Sequence, residues 1–237
     1  NKTRNNEPIN ADDRKKNLKI LNCPMTGYQK KLYSDFEIEK QSKEQADAFE
    51  MNGILLSNIT YPPKNVRTVG SAEDAKDVKY INVISNGGFD NVFNKSKEGG
   101  SLSYTSNNLD FLDDSNIGKY SSKFKMILDN IKNSEGVIFI YSRFVSTGVL
   151  SLALALEYNG YSKFGSANLL KGAGLKPKNG LNYIIISGNT ELSYKSYEKY
   201  LAIENENKNG DKVKIILGSE SAAEGLDFRF IREVHIL

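Results

Sequence analysis

The chain has 237 residues, 39% of them hydrophobic and 26% charged, with 32 Lys and Arg against 29 Asp and Glu for a formal net charge of +3. That composition supports one or two globular domains, and a charge so near zero neither requires nor forbids a basic nucleic-acid-binding face. The single cysteine, Cys23, excludes an internal disulfide and a cysteine-built zinc site, and no apolar run approaches the roughly 20 residues of a membrane helix.

Residues 1–60 are polar with helical stretches. Tyr28, Leu32 and Phe36 fall at roughly helical spacing, which predicts one or two exposed helices rather than a core. Residues 61–118 are irregular. Pro62-Pro63, Asn86-Gly87-Gly88 and Gly99-Gly100 are breakers, Tyr80–Ile84 reads as a short strand, and the region as a whole reads as an insertion or mobile linker.

From 119 onward the pattern changes. Ser122–Asn130 is a predicted helix that Gly136 ends. Val137–Tyr141 is an apolar run of the kind found in strands buried on both faces. Phe144–Tyr158 is a predicted helix with Asn159-Gly160 as its stop, and 162–179 is a polar loop. Tyr183–Ile186 is a second strand, Ser193–Asn205 a helix, and Val213–Leu217 a third strand. Ser219–Asp227 is a loop with one helical turn, and Val234–Leu237 opens a fourth strand. Alternating strands and helices predict an α/β fold: a parallel sheet with crossover helices.

Ligands of such sheets bind beyond the C-terminal strand ends, so the post-strand segments are the ones to inspect. Ser142 either caps the following helix or, with Arg143 and the free helix-start amides, holds a phosphate; the two are compatible. Gly218–Asp227 combines glycines, hydroxyls, small residues and carboxylates. It is either an ordinary turn or a loop that meets phosphate and sugar. His235, the only histidine, lacks visible triad or metal partners and reads as strand-end packing. Asp110, Asp113 and Asp114 read as a solvated loop, Gly172-Ala173-Gly174 as loop, and Cys23 as a small half-buried residue. Lys163, Lys171, Lys176 and Lys178 read as a solvated basic loop, with tracking of a nucleic-acid backbone as the minority reading.

Together these segments resemble superfamily 2 helicases. Ser219, Ala222, Ala223, Glu224, Gly225, Leu226 and Asp227 resemble motif V. Val137–Tyr141 with Ser142 resembles motif IV, Ile186-Ser187-Gly188 the strand end that follows, and Arg232–Leu237 the approach to motif VI. Gln29 and Tyr33 resemble the start of an inter-lobe helix. The order is most similar to the nucleoside triphosphatase I and early-transcription-factor ATPases of large DNA viruses, themselves Snf2-like.

The resemblance implies a second RecA-like lobe at 119–237, truncated before motif VI, behind a helical inter-lobe linker at 1–60 and the insertion at 61–118. It implies that Ser142, Arg143 and Ser219 face the nucleic-acid backbone and that Gly225 and Asp227 face ATP. It further implies ATP and Mg2+ in the complete protein and none tightly bound by this fragment. The implied partners are double-stranded DNA, a first RecA-like lobe, and an RNA polymerase or capping enzyme, in the virion and host cytoplasm. No phosphate loop and no Asp-Glu magnesium motif occurs in the chain, so no catalytic residue and no metal ligand is assigned, and the isolated fragment is expected to be inactive. A cellular Snf2-type remodeller and a non-catalytic nucleic-acid-binding lobe remain alternatives.

Overall fold

The structure is a computed structural model. It describes residues 18–41, 46–63, 71–95, 102–104, 109–171, 181–188, 190–193, 196–220 and 228–237. The chain is α/β. Helices α1 (Gly27–Gln41), α2 (Ala46–Asn58) and α3 (Ser85–Val92) precede a short antiparallel pair, β1 (Phe93–Lys95) and β2 (Leu102–Tyr104). Then come α4 (Ser122–Asn133), β3 (Val137–Tyr141), a π-helical turn (Val145–Leu150) that runs into α5 (Ser151–Tyr158), and β4 (Ser162–Lys163). Strand β5 (Asn182–Ile186), helices α6 (Thr190–Ser193) and α7 (Ser196–Leu201), β6 (Ile215–Gly218) and β7 (Ile231–Ile236) complete it. The main sheet has the order β4-β5-β6-β3-β7, with every pair parallel.

The three central strands are the continuous apolar runs of the sequence. Ile184, Ile185, Ile215, Ile216, Val137 and Ile138 are all fully buried, as expected where helices cover both faces. One face carries Ile138 and Ile140 against α5, through Leu152 and Leu154, and against α4. The other carries Val137, Ile184 and Ile216 beneath Tyr197, Tyr200 and Phe228.

Helix α4 begins where Ser121 supplies the cap, its Oγ accepting the Phe124 N–H at 3.0 Å. Helix α5 ends at Asn159, whose Nδ2 donates to Ala155 O and Leu112 O at 2.7 and 2.8 Å. Gly160 follows at φ 94°, a conformation that only glycine adopts without strain.

Several expectations are corrected. Helices α1 and α2 are not merely exposed: Tyr28, Leu32, Phe36 and Leu56 are buried in the main core. Their partners come from the irregular region, where Phe36 meets Tyr80 edge-on with ring centroids 5.5 Å apart and Tyr61 meets Phe89 at 5.9 Å. Truncating a buried phenylalanine such as Phe36 costs about 3–5 kcal/mol. Tyr80–Val83 is a 3-10 turn rather than a strand, because its short apolar run buries only Tyr80 and Val83 and leaves Ile81 out. The loop after α5 hides a fifth strand, β4, at the sheet edge. The predicted helix at Ser193–Asn205 is broken into α6, α7 and a 3-10 turn at Glu204–Glu206. Strand β7 is not buried on both faces, since Val234 and Ile236 are 56% and 78% exposed.

Candidate functional site at the β3–β6 strand ends

Strands β3 and β6 are neighbours, with Tyr141 opposite Gly218. The chain leaves β3 into the turn and helix packed on the face of Ile138 and Ile140. Phe228 packs on Phe139 on the opposite face, with ring centroids 5.3 Å apart. The C-terminal ends of adjacent parallel strands are the general ligand position of open α/β sheets.

Backbone hydrogen bonds continue past the strand ends. The Ser142 N–H donates to Gly218 O at 3.0 Å, and the Ser219 N–H donates to Ile186 O at 2.9 Å. The fold therefore brings Ser142, Arg143 and Ser219 to one edge, although the two strand ends are far apart in sequence.

Their exposures differ. Arg143 is exposed, whereas Ser142 and Ser219 are 1% and 3% exposed. The Ser142 Oγ accepts the Phe144 N–H at 3.3 Å, so this hydroxyl shapes the strand-to-helix elbow. Ser187, at the end of β5, is engaged with Ser193: its N–H donates to Ser193 Oγ at 2.7 Å, and Ser193 Oγ donates to Ser187 O at 2.8 Å. The hydroxyl of Thr147, buried in the π-turn, has no hydrogen-bond partner among the described residues. Gly225 and Asp227 lie outside the described residues.

The remaining sequence candidates have structural surroundings. Asp114 pairs with Lys125 at 3.2 Å and Lys132 at 2.6 Å. Asp113 accepts from the Ser115 N–H at 2.8 Å, and Asp110 from the Tyr158 hydroxyl at 3.0 Å. His235 Nε2 lies 2.7 Å from Glu233 Oε1 but out of line for a hydrogen bond. Among the described residues no three metal-ligating side chains cluster, and no helix is long and apolar enough to cross a membrane. Lys163 is buried, not a solvated loop residue; burial holds its ammonium below the usual lysine range, against the pull of nearby Glu157. Lys176, Lys178 and Gly172–Gly174 lie outside the described residues.

One polar anchor escaped the sequence reading, and a second was marked there only by resemblance. Glu157, on the otherwise apolar α5, is buried, with its carboxylate accepting the N–H groups of Leu169 and Leu170 at 2.8 and 2.7 Å. Gln29 is also fully buried and joins α2 to α4. The signal for Glu157 was one carboxylate inside Ser151–Tyr158, a segment with no other charge. A cleft of about 500 Å3 opens at the other end of the sheet beside Leu181 and Lys214. Its Asp114, Asn159 and Lys214 are already partnered within the protein, so it offers few free groups to a ligand.

Comparison with known proteins adds to this geometry. No family model matches the chain. A protein of Acanthamoeba polyphaga mimivirus, named as a putative ATP-dependent RNA helicase, is 34% identical over 122 residues, covering 51% of this chain and 20% of that protein. A protein of African swine fever virus, named as a termination factor NPH-I homolog, is 30% identical over 143 residues, covering 49% of this chain and 20% of its own length. Over that half, the chain is similar to viral helicase-like proteins. It spans about a fifth of the length of these relatives. The parallel sheet agrees with the RecA-like α/β architecture implied by its motifs.

Proposed function

We propose that this chain is the second motor lobe of a helicase-like, nucleic-acid-dependent ATPase that acts in viral transcription. The observation that carries the reading is the adjacency of the C-terminal ends of β3 and β6, with exposed Arg143 beside them. In this reading Arg143 meets a backbone phosphate directly, as a guanidinium suits. Ser142 and Ser219 fix the two loops that flank it. A motor that moves along any sequence must grip phosphate rather than base edges.

Gly225 and Asp227 would reach ATP across a cleft shared with a first lobe, and Mg2+ would be held from that lobe. The substrate we favour is double-stranded DNA; the name of the mimivirus relative makes RNA the comparison to run beside it. An RNA polymerase or capping enzyme as partner, and placement in the virion and host cytoplasm, follow from the same reading.

Titration of the intact protein with labelled duplexes at several salt concentrations tests it. Arg143→Ala should weaken binding alike for unrelated sequences and flatten the salt slope by about one unit. A changed sequence preference, or an unchanged affinity and slope, would place the grip elsewhere.

A further inference from the structure

We infer that Gly148 is the positioning residue that holds Arg143 in place at the β3–β6 strand ends, an inference that rests on the phosphate-gripping role proposed above. A Cβ at position 148 would lie 2.0 Å from Ser142 Oγ and 2.7 Å from Ser142 Cβ. Real side chains do not approach so closely, so one partner would have to move. Ser142 has little room to do so. It is buried, its N–H is tied to Gly218 O at 3.0 Å, and its Oγ accepts the Phe144 N–H at 3.3 Å. The turn would move instead.

Arg143 sits between these two fixed points. Ser142 before it is fastened to β6, and Phe144 after it is held by Ser142 Oγ. The Phe144 carbonyl also accepts the Val149 N–H at 3.0 Å, five residues on, which is the π-type winding of the turn. That wider winding brings position 148 against the strand end, and π-turns recur at functional sites for such local placement. Gly148 is not at positive φ, so the backbone does not require glycine here. Helix propensity would favour alanine. Only the close approach to Ser142 demands a hydrogen at this position. A larger residue would lift the turn from the strand and carry Phe144 and Arg143 with it.

The test uses the intact protein and a labelled DNA duplex of mixed sequence, with melting curves to establish folding. Gly148→Ala should weaken binding by about tenfold, the cost of one lost charge-assisted contact, and flatten the salt slope by about one unit as Arg143→Ala does. The double variant with Arg143→Ala should lose no more than Arg143→Ala alone. A residue needed only for packing would leave the salt slope where it was. Ser142→Thr keeps the hydroxyl and crowds the same contact from the strand side, so it decides the matter if Gly148→Ala does not fold. A folded Gly148→Ala with normal affinity and slope, or a folded Ser142→Thr with both normal, overturns the inference while leaving the role of Arg143 intact. An Arg143→Ala protein that binds normally removes the premise, and the inference falls with it.

Discussion

The Glu157 carboxylate accepts the Tyr183 hydroxyl at 2.5 Å in the interior, tying α5 to the central strand β5. The same carboxylate takes the Leu169 and Leu170 amides, so one side chain fixes a helix, a strand and the loop after β4. Tyr183→Phe leaves Glu157 short of one donor and should cost about 1–3 kcal/mol in chemical denaturation. A loss near zero would mean that the phenol contributes packing alone.

Glu157 should also make stability depend on pH. Burial raises its pKa above the ordinary 4.5, against the lowering effect of the Tyr183 hydroxyl, the Leu170 and Leu169 amides and Lys163. A carboxyl whose folded pKa is raised contributes fully below the unfolded value and loses that contribution as pH rises through the folded value. The margin of the wild type over Glu157→Gln should therefore be widest at or below about pH 4.5 and narrow toward neutrality. A margin constant across that range, read from urea midpoints, would contradict this.

Much of the sheet was legible in the sequence because strands buried on both faces must be apolar throughout, as Val137–Tyr141 and Ile184–Ile186 are. The burial of α1 was not. Tyr28, Leu32 and Phe36 mark one stripe of that helix, but their partners Tyr80 and Tyr120 come from segments without any regular period. The site was legible in its residue types and not in its geometry. Ser142, Arg143 and Ser219 stood out as post-strand residues. Only the adjacency of β3 and β6 shows that they share one edge of the sheet, and only the packing of Gly148 shows why the Ser142 hydroxyl is buried.

Asp114 organises a surface cluster with Lys125 and Lys132. Burial alone would raise its pKa, but hydrogen bonds from Lys132 and Lys125 outweigh it and hold the carboxyl below the ordinary 3.8. Its contribution is thus present above that value and lost as pH falls through the lowered one. All three side chains are a third exposed or more, so solvent screening limits the effect: Asp114→Asn should cost about 1 kcal/mol or less. That cost should shrink in high salt. A loss of several kcal/mol that is indifferent to salt would point to the Asp114 N–H, which donates to Asn159 Oδ1 at 3.0 Å, as the element disturbed instead.

The ATP-facing role proposed for Asp227 predicts a separation of activity from stability. In the intact protein, Asp227→Ala should lower nucleic-acid-stimulated ATP turnover through loss of a sugar-directed hydrogen bond worth about 1–3 kcal/mol, with an unchanged melting transition. The present chain alone should turn over no ATP, because phosphoryl transfer needs a phosphate cradle and magnesium carboxylates that its sequence lacks. Normal steady-state kinetics in a folded Asp227→Ala protein would refute the role, and stimulated turnover by the chain alone would refute the division of labour.

Gln29 offers the sharpest test of how the N-terminal helices are joined to the lobe. Its Nε2 donates to Leu56 O at 2.9 Å near the C-terminal end of α2, and its Oε1 accepts the Ser122 N–H at 3.0 Å at the start of α4. Both backbone groups sit at helix ends, where no intrahelical partner exists for them, and Gln29 itself is fully buried. The amide carries both the donor and the acceptor this bridge needs. Gln29→Glu keeps the acceptor but turns a carboxylate oxygen toward the Leu56 carbonyl. Gln29→Ala strands both groups and should cost about 2–5 kcal/mol, summing two unmet buried partners. Hydrogen exchange should then quicken at the Ser122 amide and in the last turn of α2, while the amides of β5 and β6 stay protected until global unfolding. A Gln29→Ala protein within about 0.5 kcal/mol of wild type, with the Ser122 amide still protected, would show that water or a shifted neighbour replaces the side chain and that the bridge does not hold the helices to the lobe.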